Sequence, residues 1–308
     1  MKMKTSIRTA AYAALTTLSI TAVTHAVAIY DSVGFETPAS GFVPGSIDGQ
    51  SGGSPSTLWG GSTLGTPPTA TVQGAVFREG TQALELDRAG GDAFFGPLLP
   101  PTAITDPTGS QQLLDVRWSM TVDEPTSFDA EDNSAFFGAS WRLRLDGATS
   151  TNRIVSFGVD TSLAEDGSGA GTGEVVFFFD NGVFGRFVDD MGDAVAVPLG
   201  TDQWFEFILR VDTSDPTNDS VTFLLGDGTG FEELTLDPSE VSSTDLLGGN
   251  VTSVDTGVVS TDNLFAPLSA EGTAYYDEFC LHIQAIPEPA GLAMFGLIAT
   301  GLFRRRRA

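Results

Sequence analysis

Hydrophobic and polar residues alternate with a period of two through much of the middle of the chain. From Leu113 to Val122 one set is Leu114, Val116, Trp118, Met120 and Val122, and the other is Asp115, Arg117, Ser119 and Thr121. Trp141, Leu143 and Leu145 alternate with Arg142 and Arg144. Phe205, Phe207, Leu209 and Val211 alternate with Glu206 and Arg210, with Ile208 interrupting the polar set. This spacing predicts half-buried strands, because successive side chains leave a strand on opposite faces. Val175 to Phe179 and Val183 to Val188 flank Asp180-Asn181-Gly182, and Asn-Gly is the preferred pair for a tight hairpin turn. The unbroken Val-Val-Phe-Phe-Phe run predicts a strand covered on both faces. Further strands are expected near 83–87, 153–159, 220–225, 231–236 and 274–284, separated by turns such as Gly226-Asp227-Gly228. The Gly/Ser/Pro/Thr-rich stretch from Gly41 to Ala70 reads as a long loop. No long amphipathic helix pattern occurs. About ten strands without intervening helices predict an all-β protein, two antiparallel sheets packed face to face.

The two ends differ from this middle. Lys2, Lys4 and Arg8 precede a small or apolar stretch from Ala10 to Val23, and Ala26-Val27-Ala28 offers an A-x-A cleavage site. Residues 1–28 therefore read as a secretory signal peptide, with cleavage after Ala28 preferred over Ala26. At the other end Pro287-Glu288-Pro289 leads into an uncharged, mostly apolar stretch, residues 290–303, followed by Arg304, Arg305, Arg306 and Arg307. The prolines hold the Glu288 peptide extended. The apolar stretch is suited to enter lipid as a transmembrane helix, with the arginines on the cytoplasmic side. A helix of that length rises about 21 Å against a hydrocarbon core of about 30 Å, which suits a segment that is recognised and processed.

Residues 287–308 resemble the PEP-CTERM sorting signal, which joins a P-E-P tripeptide, a short hydrophobic helix and a terminal arginine cluster. The resemblance implies recognition by an exosortase, a membrane cysteine protease-transpeptidase, in a Gram-negative bacterium, and export through the inner membrane to the cell surface or exopolysaccharide matrix. Residues 29–286 form the domain between. They resemble concanavalin A-like, laminin-G-like jelly rolls in Phe35-Glu36, Gly49-Gln50, Gly80-Thr81-Gln82-Ala83-Leu84-Glu85-Leu86, Trp204-Phe205-Glu206-Phe207 and Tyr276-Asp277-Glu278-Phe279. That resemblance implies a jelly-roll sandwich.

Charge and side-chain chemistry narrow the function. The chain carries 40 acidic and 15 basic residues, a net charge of −25, and has no lysine after Lys4. Such a surface repels nucleic acid and anionic lipid. Cys280 is the single cysteine, so no intramolecular disulfide forms, and its apolar setting argues for burial. With His282 the only histidine after the signal segment, an ordinary zinc site is excluded. Retaining glycoside hydrolysis needs two carboxyls about 5–5.5 Å apart. The jelly-roll glucanase pattern places them on one strand as E-x-D-x-x-E. Here Glu85-Leu86-Asp87 starts that pattern, but Ala89 and Gly90 stand where it should end.

A non-catalytic protein is therefore expected, with a carbohydrate-active enzyme (hydrolase or lyase) on the same fold as the alternative. Glycan binding requires an aromatic platform beside polar groups. Trp204 and Tyr276, with Arg117, Arg142 and Arg144, are the candidates if their strands are neighbours. Calcium takes several oxygen ligands, and Asp212, Asp215, Asn218 and Asp219 cluster in one expected turn.

Overall fold

The computed structural model describes residues 27–65, 69–89, 91–99, 102–103, 112–123, 136–145, 152–161, 171–179, 184–213, 219–237, 247, 251–262 and 271–285. The signal segment up to Ala26 and the Pro287–Arg307 tail lie outside these residues, as do Asp215 and Asn218. Among the described residues twenty strands run in chain order: β1 (Val27–Asp31), β2 (Gly45–Ser46), β3 (Ser51–Gly52), β4 (Thr57–Gly65), β5 (Thr69–Gln73), β6 (Ala83–Ala89), β7 (Gly91–Pro97), β8 (Thr102–Ala103), β9 (Gln112–Val122) and β10 (Phe136–Leu145). The second half holds β11 (Asn152–Asp160), β12 (Thr172–Phe179), β13 (Phe184–Val188), β14 (Ala196–Pro198), β15 (Phe205–Asp212), β16 (Ser220–Gly226), β17 (Phe231–Glu233), β18 (Thr235–Leu236), β19 (Val251–Asp262) and β20 (Glu271–Ala285). Among the described residues no helix is long and apolar enough to cross a membrane.

One sheet runs β17-β16-β15-β9-β20-β6-β5-β2, with β1 also on β20; the other runs β18-β13-β12-β11-β10-β19-β7-β4-β3, with β14 on β12 and β8 on β19. Chain-distant strands lie side by side, as in β9 with β20 and β10 with β19, both antiparallel. The connections β6–β7, β9–β10 and β14–β15 cross from one sheet to the other. This is an all-β, antiparallel two-sheet sandwich of the jelly-roll type.

Aromatic side chains from the inner faces join the sheets. Trp118 of β9 lies edge-on to Phe157 of β11 at 5.6 Å and stacks on Phe207 of β15 at 5.5 Å. Phe157 also meets Phe223 of β16 at 5.1 Å. Trp141 of β10 stacks on Phe279 of β20 at 5.6 Å. Such pairs contribute about 0.5–1.5 kcal/mol each beyond their burial.

Leu114, Val116, Trp118, Met120 and Val122 of β9 are all buried as the alternation predicts; of the other set Asp115 and Arg117 are half-buried, but Ser119 and Thr121 are covered as well. The β12–β13 hairpin pairs Val176 with Arg186 and Phe178 with Phe184, and Val175, Val176, Phe177 and Phe179 are all buried. Ile208 faces outward with the polar set of β15, opposite Arg117, and is nonetheless covered.

Two features depart from the sequence reading. Gly41–Ala70 is not one long loop but carries β2, β3, β4 and the start of β5. Its anchor is Trp59, fully buried, whose Nε1 donates to the Tyr30 hydroxyl at 2.6 Å and whose ring meets Phe35, Phe42 and Phe279 at 5.4, 5.9 and 5.8 Å. The second departure is a β-bulge in β20 between Tyr276 and Phe279. An extra residue there reverses the in-out phase of the strand. Tyr275 and Tyr276 consequently exchange the faces that alternation counted back from Phe279 assigns them.

Candidate functional site

The outer face of the first sheet carries a chain of opposite charges across β15, β9 and β20. Arg210 makes a two-pronged contact with its cross-strand partner Asp115, Nε and Nη2 each donating at 2.6 Å. That hydrogen bonding, more than the added charge attraction, strengthens the guanidinium's hold on its proton. Four residues earlier on β15, Glu206 is largely buried between two arginines. Arg78 Nη1 meets its Oε1, and Arg117 Nη2 lies 3.1 Å from its Oε2. Arg78 Nη1 also donates to Ser119 Oγ at 2.7 Å, and Arg117 reaches Glu278 at 3.6 Å. Cys280 sits opposite Arg117 and is 7 % exposed. Burial pushes its thiol up to about 12, with Asp31 adding to the rise, so it is no nucleophile at neutral pH.

This network ends under an aromatic ring. The Arg117 guanidinium carbon lies 5.4 Å from the centroid of Phe231, a cation–π distance. Phe231 opens β17 opposite Gly226 of β16. A Cβ on Gly226 would come within 2.9 Å of the Phe231 ring, so glycine there lets the ring lie across its neighbour strand. Phe231 stays 41 % exposed although Arg117 lies against its ring.

Phe231 lines a groove of about 710 Å³ with Phe205 at the start of β15, a size in the range of small-ligand sites. Asp189 and Asp190 contribute from the segment after β13, Asp227 from the β16–β17 turn, and Glu232 and Glu233 from β17. Among the described residues the lining holds these five carboxylates and no basic side chain. The rims are ordered by their own acids. Asp189 Oδ1 accepts from the N–H groups of Met191 (2.8 Å) and Asp193 (3.0 Å). Asp227 Oδ1 accepts from Thr229 Oγ1 (2.6 Å) and Thr229 N (2.9 Å), which holds its carboxyl below the usual range. Carboxylates are acceptors only, so they match ligand groups that donate.

A second cluster fastens the β5–β6 connection that carries Arg78. Glu36 Oε1 accepts from the N–H groups of Thr81 (2.5 Å) and Gln82 (2.8 Å), and its Oε2 from Thr81 Oγ1 (2.7 Å). Burial alone would raise this carboxyl; the hydrogen bonds outweigh it and hold it low. Gly80 between them has φ +76°, and a Cβ would stand 2.2 Å from Glu36 Oε1. Asp277 Oδ2 accepts from the N–H groups of Arg78 (2.8 Å) and Glu79 (2.7 Å), while Oδ1 is buried without a hydrogen-bond partner. Burial, opposed by those two hydrogen bonds, pushes the carboxyl up to about 6, with Glu278 and Glu36 adding repulsion.

The residues singled out from sequence do not form one groove. Arg117 is on the first sheet and joins the arginine–carboxylate network; Arg142 and Arg144 are exposed on β10 of the second sheet. Tyr276 is fully buried, and its hydroxyl donates to the Gly138 carbonyl at 3.1 Å, so it offers no surface to a ligand; the β20 bulge is the reason. Trp204 is half-buried just ahead of β15, and its neighbour Phe205 lines the groove. Of the calcium candidates, Asp212 ends β15, and Asp219 accepts from the Val251 N–H at the start of β19. Among the described residues no group of three or more acidic, histidine or cysteine side chains is placed to hold a metal ion. Glu85 and Asp87 share the outer face of β6, Glu85 opposite Tyr275. Burial, then Asp87, raises the Glu85 carboxyl; burial, then Glu85, raises the Tyr275 hydroxyl.

No protein-family model matches the chain, and no curated protein matches it in sequence. Among solved structures, basic winged bean lectin in complex with Tn-antigen is 12% identical over 71% of this chain and 93% of its own, with a TM-score of 0.39. A Lotus tetragonolobus seed lectin is 11% identical, covering 80% of this chain and 100% of its own, with a TM-score of 0.38. The endo-β-1,4-glucuronan lyase of Trichoderma reesei is 10% identical over 71% and 87%, with a TM-score of 0.37. At these scores the likeness says nothing about ligand or reaction.

Proposed function

We propose that this protein is an exported, non-catalytic component of the cell envelope or exopolysaccharide matrix that contacts polysaccharide through the Phe231 groove. The observation that carries the proposal is the pairing of an exposed aromatic ring, backed by Arg117 and Gly226, with flanking carboxylates. A sugar ring presents C–H groups that pack on an aromatic face and hydroxyls that donate to carboxylates. The acids nearest the arginines are engaged already: Glu206 is held by Arg78 and Arg117, and Asp115 by Arg210. Such paired carboxylates are poorly suited to act as a general base, which favours binding over turnover.

The sorting part of the proposal rests on sequence. The Pro287-Glu288-Pro289 tripeptide, residues 290–303 and the Arg304–Arg307 cluster would deliver the chain to an exosortase. Cleavage after Ala28 would leave the Tyr30–Leu281 and Asp31–Cys280 pairs of β1 in place, beyond the register shift that separates them from Ala28.

Retention on exopolysaccharide from the producing organism tests the binding reading. The wild-type protein should be retained and Phe231→Ala should pass through. Equal retention of the two, or none of the wild type, would reject it. The enzyme alternative would draw on Glu85 and Tyr275, whose proton affinities are raised, with Asp87 on the same face. It predicts turnover abolished by Glu85→Gln with polymer retention unchanged.

A further inference from the structure

The polarity of the groove carries the binding reading one step further. We infer that the ligand is a glycan bearing protonated amines, such as a polymer of de-N-acetylated hexosamine, an inference that rests on the groove being a polysaccharide site. Five carboxylates line the groove, and among the described residues no basic side chain lines it with them; Arg117 lies against the Phe231 ring and is engaged with Glu206 and Glu278, while Arg210, within electrostatic reach of Glu233, is engaged with Asp115. A uronate polymer would bring like charge against all five. A neutral glycan would use them only as hydroxyl acceptors. A protonated amino sugar supplies both a C–H face for Phe231 and a charge-assisted donor for a carboxylate.

The layout of the acids separates this ligand from a point cation. They come from three stretches of chain, Asp189–Asp190, Asp227 and Glu232–Glu233, and not from one converging set. Among the described residues no three of them are placed to hold a metal ion. Asp227 and Asp189 are already held in place by Thr229, Met191 and Asp193, so they are fixed before a ligand arrives. Charges from three stretches of chain in one groove with an exposed aromatic ring fit an extended chain whose positive groups repeat.

Calorimetric titration of the full-length protein with a glucosamine tetramer, its N-acetylated counterpart and a uronate tetramer decides the matter. N-acetylation removes the charge and keeps the pyranose ring. The amino sugar should bind about tenfold more tightly than the acetylated one, and the advantage should shrink as salt is raised. Glu232→Gln with Glu233→Gln should bring the two affinities to within about twofold, each surface pair contributing little alone. Asp48→Asn with Asp202→Asn, exposed acids outside the groove lining, should leave the preference unchanged. Loss of the preference in that control, or equal binding of a lysine tetrapeptide, would mean bulk charge and overturn the inference. Equal binding of both hexosamine tetramers would overturn it and leave the glycan-binding reading standing. Binding of none of the sugars would reject both.

Discussion

Asp277 offers a test of the physical account that needs no ligand. It is 1 % exposed, uses one carboxylate oxygen to hold the Arg78 and Glu79 amides, and buries the other unpaired. Its carboxyl is raised from 3.8 to about 6, chiefly by burial. The folded state therefore prefers the protonated acid. The associated stability is fully present below pH 3.8 and is lost as pH rises through about 6. That interval corresponds to about 3 kcal/mol, of which about 2 kcal/mol falls between about pH 4.5 and 7.5. Other acids titrate in the same range, and Glu36 contributes with the opposite sign because its carboxyl is held low. The comparison with Asp277→Asn removes these common contributions. Urea unfolding of both proteins at about pH 4.5 and 7.5 should show the variant gaining about 2 kcal/mol relative to wild type as pH rises, or roughly 4–8 °C in Tm. Any constant cost of placing an amide at this site appears at both pH values and cancels. A stability gap that stays constant to within about 0.5 kcal/mol, or that moves in the wild type's favour, would mean that burial does not raise the Asp277 carboxyl.

Other positions give equally definite expectations. Trp118→Phe should cost less than about 2 kcal/mol in urea unfolding, since it keeps an aromatic beside Phe207 and removes a buried indole N–H without a partner, whereas Trp118→Ala should cost about 3–5 kcal/mol. Gly226→Ala should displace the Phe231 ring and weaken polysaccharide retention several-fold, while thermal unfolding changes by only about 1 kcal/mol. Arg210→Ala should cost about 1 kcal/mol, because the Asp115 pair it breaks is two-pronged but partly exposed. Glu36→Ala should speed amide hydrogen exchange at Thr81 and Gln82 ahead of exchange in β9.

The alternating strands are legible directly because one face of each meets the core: the apolar sets of β9 and β15 and the Trp141–Leu145 half of β10 face inward as their residue pattern predicts, although Ser119, Thr121 and Glu206 of the polar sets are covered too. The β12–β13 hairpin is equally legible, since its pairing is centred on the Asn-Gly turn expected between the strands. Trp59 is not, because a single aromatic among glycine, serine and threonine makes no period, yet it is the centre around which 41–70 folds. Alternation places Tyr276 on the wrong face because one bulge residue reverses the phase of half a strand, and nothing in Tyr-Asp-Glu-Phe marks the insertion.

The binding face is legible to a similar degree. Arg117 stands out from its position on β9, but its aromatic partner Phe231 comes from a three-residue strand more than a hundred residues away. Strand order brings them together, and strand order is not written in local pattern. A signal is present nonetheless: Phe231 follows a Gly-Asp-Gly-Thr-Gly run and is flanked by Glu232 and Glu233, an apolar ring isolated among acids and turn residues. The Glu36 and Asp277 clasp is half legible, as Phe35-Glu36, Gly80-Thr81-Gln82 and Tyr276-Asp277 all carry the resemblance to jelly rolls. That they meet at one place is a property of the fold.

The most direct test of the central claim is a hydrogen-exchange footprint of the protein with and without saturating exopolysaccharide oligosaccharide. Binding in the Phe231 groove should concentrate protection in Val188–Ala196 and Leu225–Thr235 and leave Arg142 and Arg144 on the second sheet unprotected. Protection centred on β10 and β11, with the Phe231 segment exchanging as in the free protein, would contradict it.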